Sequence, residues 1–181
     1  MFSLSWKAAL AGAAVLIVGG YAVAQSAPPN GPGMPGAMQH AMPRDSESKQ
    51  EHVHEMGQTV MPFDLNKTTH IFRMTDSGGV QSVVVKDAQD KDQIALIRQH
   101  LRHEVVAFQH GDYADPIALH GKTMPGVSEL ESHHAAIAVS YSDLPFGGAL
   151  TFTSRNRHLV TAIHRWFGAQ LSEHGADAKA E

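Results

Sequence analysis

The chain contains no cysteine. That excludes a disulfide framework, a thiol nucleophile and a thiolate metal site. Basic residues are also few. The 14 Lys plus Arg are outnumbered by 18 Asp plus Glu, giving a net charge of −4, and no basic cluster offers a face to nucleic acid. No apolar run reaches the roughly 20 residues that a membrane-spanning helix requires. Familiar catalytic signatures are missing as well: there is no Gly-x-Ser-x-Gly elbow, no phosphate-cradling glycine loop and no His-Glu-x-x-His pair. The string His100-Leu101-Arg102-His103-Glu104 holds related letters at the wrong spacing for a zinc peptidase helix.

The residues that are present begin with an export signal. Lys7 precedes an uncharged run from Ala8 to Gly20, and Ala22-Val23-Ala24 supplies the small-x-small pattern read by signal peptidase. Cleavage before Gln25 is expected, which places the protein in the periplasm with no integral membrane association. The competing reading is a retained anchor, against which stand the short run and its terminal Gly-Gly. Lipidation is excluded, because no cysteine follows the run. The remaining 157 of 181 residues suffice for one domain, and loss of Lys7 moves the net charge from −4 to −5.

Histidine is the outlier: 13 residues, nearly equal to the 14 Lys plus Arg, accompanied by 8 methionines. In an oxidising compartment, imidazole and thioether are soft ligands that form no disulfides. Part of this set falls in residues 25–66, which read as a flexible arm because Pro and Gly at its start deny helix and strand. Met34, Met38, His40 and Met42 lie close together there, with His52, His54, Met56 and Met61 further along. Such spacing lets a flexible segment wrap Cu(I), the ion that takes thioether together with imidazole. The plainer alternative is a low-complexity tether in which both residue types are incidental.

Residues 67–176 read as an α+β domain, with 177–181 as a tail. His70 to Met74 is an extended run, Asp76-Ser77-Gly78-Gly79 a hairpin turn, and Val80 to Lys86 the return strand. Asp90 or Asp92 caps a helix to about His110, closed by Gly111, with Ile94, Ile97, Leu101, Val105 and Phe108 on one face. A connector with a short helix after Pro125-Gly126 leads to the same order again. Ala136 to Tyr141 and Ala149 to Thr153 are strands, and a helix capped by Ser154 or Asn156 runs to His174, closed by Gly175. Sliding one long helix onto the other by 64 residues pairs His100 with His164. The expected fold is therefore two strand–strand–helix units forming a four-stranded antiparallel sheet, with both helices on one face.

Several side chains in this domain are candidates for chemistry. A 100° step puts Gln93, His100 and Glu104 on one flank of the first helix. His164 takes the equivalent place on the second helix, so the two histidines are expected to face one another. His70 shares the inward strand face with Phe72 and Met74. His120 and Met124 present an imidazole and a thioether in one short loop, which suits copper or an axial haem pair. The alternative for each histidine is burial against a backbone carbonyl. Gly111 to Pro116 reads as a turn whose carboxylates cap amides. His110 and His174 are accounted for by helix C-termini, His133-His134 by a strand start, and His158 by solvent.

The blocks MPFDLNKTTHIF (Met61 to Phe72), GGVQSVVVKD, QIALIRQHLRHE, GDYADP, HGKTMPG and WFGAQLSEHG together resemble a family of small exported bacterial proteins. Many of its members carry the name aspartate carbamoyltransferase, and the likeness covers about Met61 to Asp177. The enzyme of that name is a much longer cytoplasmic protein with a phosphate-binding Ser-Thr-Arg-Thr-Arg, echoed here only by Thr153-Ser154-Arg155-Asn156-Arg157. It also has a His-Pro-x-Gln that this chain lacks. The resemblance thus implies an exported family and assigns no catalytic residue.

The functional expectation is a periplasmic binding protein for a soft transition metal, copper foremost, serving tolerance, storage or delivery. The metal donors would be His70, His100, His120, Met124 and His164, together with the arm. A haem protein or small enzyme with a His-centred pocket lined by Trp166 and Tyr113 is the alternative. A further one is an envelope protein that binds a protein partner and satisfies its histidines singly.

Overall fold

The computed structural model describes residues 44–181. The expected strand–strand–helix repeat is present. β1 (Thr68–Thr75) and β2 (Gly78–Val85) form an antiparallel hairpin, and α2 (Lys91–Gln109) follows, its first turn capped by the Asp90 carboxylate on Gln93 N. α3 (Ala114–His120) and α4 (Val127–Ser132) fill the connector. β3 (Ala138–Leu144) and β4 (Gly147–Thr153) form the second hairpin, turning on Pro145-Phe146 alone. α5 (Arg157–His174) closes the unit, capped by the Asn156 side chain on His158 N.

The sheet order is β3-β4-β2-β1-β5, antiparallel across its first four strands. One face carries the alternating buried set Thr68, His70 and Phe72 of β1 and Gln81, Val83 and Val85 of β2. Both long helices cover that face, as the two-layer α+β reading requires. They do so crosswise: α2 packs over β3 and β4, whereas α5 packs over β1 and β2. Arg98 fixes α2 there by donating to the Leu144 and Gly147 carbonyls at 2.7 and 3.0 Å. Between the helices, Trp166, Phe167, Phe152 and Phe108 form an aromatic core with ring centroids 5.3–5.7 Å apart. Met74, expected to point inward, is exposed.

Two expected boundaries are corrected. The segment expected as flexible arm enters the fold from Arg44: α1 (Arg44–Val60) is a helix, and Val53, Met61, Phe63 and Leu65 are buried in the common core. Its apolar positions are too sparse to register as a stripe, and long-range polar contacts hold it. Lys49 pairs with Glu173, Gln50 Nε2 donates to Ser172 O at 2.8 Å, and His54 Nδ1 lies 2.8 Å from Asp177 Oδ2. The expected tail is also structured: β5 (Ala178–Ala180) adds a parallel strand to β1. Three residues carry no strand signal of their own, and a neighbouring edge supplies the pairing. Among the described residues no helix is long and apolar enough to cross a membrane. The segment expected to direct export lies outside them.

Candidate functional site

The two long helices present matching stripes to the space between them. His100, Glu104 and Phe108 of α2 lie at successive four-residue steps, as do Trp166, Gln170 and His174 of α5. The sheet contributes His70 and Gln81, whose strands pair so that His70 is opposite Val83 and Phe72 opposite Gln81. α3 lays Asp115 and His120 across the top. These groups line one interior cavity of about 40 Å³, which holds a few water-sized groups. Val60, His100, Asp115 and Pro116 stay partly exposed and form its rim.

One end of the cavity is a donor cluster. His100, Glu104 and Asp115 each offer a ligand atom, and these atoms lie within 4.8 Å of one another. Burial pushes the His100 imidazole down to about 4, which keeps it neutral. Glu104 is pushed up to about 8, by burial first and then by the hydrogen bond and charge of Asp115. Two carboxyl groups that close in an apolar space hold a proton between them.

The other end is a ladder of imidazoles. His70 and His174 stack with ring centroids 4.6 Å apart, and His120 meets His174 edge-on at 5.1 Å. Phe63 wedges between His70 and His100, at 5.9 and 5.6 Å. His120 Nδ1 lies 2.8 Å from Glu173 Oε2, and the same carboxylate holds Lys49 of α1. Burial lowers His120 to about 4 and His174 to about 3, and holds His70 well below its ordinary value. The near-parallel planes of His70 and His174, 20° apart, make them a stack and not a converging chelate.

Buried polar atoms normally find partners. Among the described residues seven side-chain atoms do not, and six of them belong to residues lining this cavity. The exception is the Tyr113 hydroxyl, which belongs to a ring packed on Trp166.

The structure brings together His70, His100 and His120 of the expected donors. It does not bring His164 to them. His164 Nε2 lies 3.0 Å from Thr75 O and 2.8 Å from Gly78 O, closing the β1–β2 turn. The crosswise packing is the reason: α5 lies over the first hairpin, so the flank carrying His164 meets that hairpin and not His100. Met124 is also separated from His120. Gly121, at φ +89°, ends α3 directly after His120, and the chain turns Met124 into the apolar core. Met34, Met38, His40 and Met42 lie outside the described residues.

Two site residues are not visible as such in the sequence. Asp115 has the signature of a turn carboxylate, and His174 that of a helix-end histidine satisfied by carbonyls. Glu104 falls on the correct flank without standing out as a donor, although its four-residue step from His100 is an available signal. No protein-family model, curated protein or solved structure matches this chain.

Proposed function

We propose that this is an exported binding protein for a transition-metal ion, with copper the preferred ion and His100, Glu104 and Asp115 its folded site. The convergence of those three donor atoms within 4.8 Å carries the reading. Donors around one ion with bonds of about 2.0–2.2 Å sit roughly 3–4 Å apart, a small closure from the observed spacing. Imidazole and carboxylate suit divalent first-row ions, and Cu(II) heads their affinity order. Met61 adds a thioether to the same cavity, a donor that copper accepts and zinc rarely does. A cavity of about 40 Å³ favours an ion over haem, since small-molecule pockets run to roughly 300–1,000 Å³. Storage, tolerance or delivery in the periplasm fits a site that is interior yet open at its rim.

Titration of the purified protein with Cu(II) against a competing chelator tests this. One ion should bind per chain with submicromolar affinity. His100→Ala, Glu104→Gln and Asp115→Asn should each weaken it by at least the ~10–100-fold that outer partners of metal ligands are worth. Micromolar or weaker affinity in the unaltered protein, or equal affinity in all three variants, overturns the reading.

The proton held by Glu104 beside Asp115 favours a second reading, a small periplasmic enzyme using Glu104 as general acid and base. Turnover abolished by Glu104→Gln in metal-free protein would distinguish it; activity found only in the metal-loaded form would rule it out.

A further inference from the structure

Two polar ties hold the short helix α3 against the long helices, one near each end. Near its start, Asp115 hydrogen-bonds Glu104 of α2. At its last residue, His120 Nδ1 lies 2.8 Å from Glu173 Oε2 of α5. The other Glu173 oxygen pairs with Lys49 of α1, so this carboxylate is held from both sides. A carboxylate only accepts, and His120 therefore donates to it from Nδ1. Both side chains are nearly sealed, His120 at 2% exposure and Glu173 at 9%. Glycines in the left-handed region flank α3, Gly111 at φ +75° and Gly121 at φ +89°. Neither neighbouring segment therefore continues α3 as a longer helix that would set its direction.

An ion at His100, Glu104 and Asp115 would affect the two ties differently. The first depends on the proton held between Glu104 and Asp115, and metal-bound carboxylates carry no such proton. The second lies outside the donor cluster and survives metal binding. His120 stands five residues beyond Asp115 on one helix, a rise of about 7.5 Å, so the two ends move together. Leu119 also anchors α3 by burial, but apolar contact is non-directional, whereas a hydrogen bond fixes an orientation. Resting on the metal-site reading, we infer that Glu173 is a positioning residue of that site. It holds His120, and through α3 it keeps the Asp115 carboxylate within reach of the ion. Partners that orient metal ligands without touching the metal are worth ~10–100-fold in affinity. Here the same effect is carried along a helix.

A double-mutant cycle, with Cu(II) affinity of the full chain measured against a competing chelator, tests this. Glu173→Leu keeps most of the volume, removes both acceptors, and should weaken Cu(II) binding about tenfold or more. Glu173→Gln keeps an acceptor for His120 and should restore most of the affinity. On the Glu173→Leu background Asp115→Asn should cost little further, whereas His100→Ala should keep its full effect. The Cu(II) ligand-field band of Glu173→Leu should match that of Asp115→Asn, since the ion loses the same oxygen in both. His120→Phe leaves Glu173 paired with Lys49 and should reproduce the affinity loss and the non-additivity. It replaces Glu173→Leu if circular dichroism shows that variant to be unfolded. Parental affinity in these variants, or costs that simply add to that of Asp115→Asn, overturns the positioning role and leaves the metal site standing. A Glu173→Gln protein as weak as Glu173→Leu overturns it too. Failure of the unaltered protein to bind copper overturns the metal reading, and this inference falls with it.

Discussion

His70 of β1 and His174 at the end of α5 stack face to face, with ring centroids 4.6 Å apart and planes 20° from parallel. The contact joins the sheet to the last turn of the final helix, and both residues are buried. Two imidazolium rings could not share this position. Burial therefore holds both in the neutral form, with the His174 charge adding to it at His70 and the His120 charge at His174.

The stack makes metal-free stability depend on pH. A histidine whose folded value lies below its unfolded 6.5 binds its proton first in the unfolded chain. Stability is then fully present above 6.5 and is lost as pH falls toward about 4 for His100 and His120 and about 3 for His174. Glu104 acts oppositely: its folded value of about 8 exceeds the ordinary 4.5, so stability is lost as pH rises between them. The facing groups Asp112, Asp115, His52 and Lys49 enter the same balance. Urea midpoints should peak near pH 6.5, fall steeply on the acid side and gently toward pH 8. His174→Phe should flatten the acid limb; an unchanged limb contradicts the stack as its source.

Copper binding should release a proton. A carboxyl with a value of about 8 is mostly protonated at pH 7, and a metal-bound carboxylate is not. Calorimetry in buffers of different ionisation enthalpy should give close to one proton per ion at about pH 7. The release should disappear in Glu104→Gln, and its persistence there would assign the proton elsewhere.

His164→Ala separates structural from functional histidines. Copper affinity should be unaffected, while stability falls by about 1–2 kcal/mol as the Thr75 and Gly78 carbonyls lose their donor. A copper defect comparable to that of His100→Ala would contradict the placement of His164.

Gly57 tests the docking of α1. A Cβ there would stand 2.5 Å from Leu65 Cδ1, and Leu65 is 1% exposed and has little room to move. Gly57→Ala should cost about 1–3 kcal/mol despite its better helix propensity. Hydrogen exchange should locate the loss in α1; a stabilised protein would show that the helix is not packed as described.

Deleting residues 25–43, which leaves α1 intact, should remove Cu(I) sites formed by Met34, Met38, His40 and Met42 while sparing the folded Cu(II) site. Equal Cu(I) stoichiometry with and without the segment would reduce it to a tether.

The two hairpins, the two long helices and their caps are legible in the sequence because each rests on local signals. Asp90 and Asn156 sit where helices start, and strict alternation or three- and four-residue spacing marks the elements themselves. The α1 helix is hidden because Val53 and Gly57 are its only buried positions described before the chain turns at Met61. β5 is hidden because its strand character comes from β1. At the site, the His100–Glu104 flank follows from helical geometry alone. Asp115 comes from a different element, and no spacing links it to α2.

By itself, then, the sequence determined which segments form strands and long helices, that cysteine chemistry is excluded, and that imidazoles abound. Those properties depend on composition and on contacts a few residues apart. Tertiary structure decided which imidazoles meet. Crosswise packing sent His164 to a turn and Met124 to the core, and drew Asp115 and His174 into one cavity. Such placements are set by how two layers dock, and the docking depends on the whole core at once.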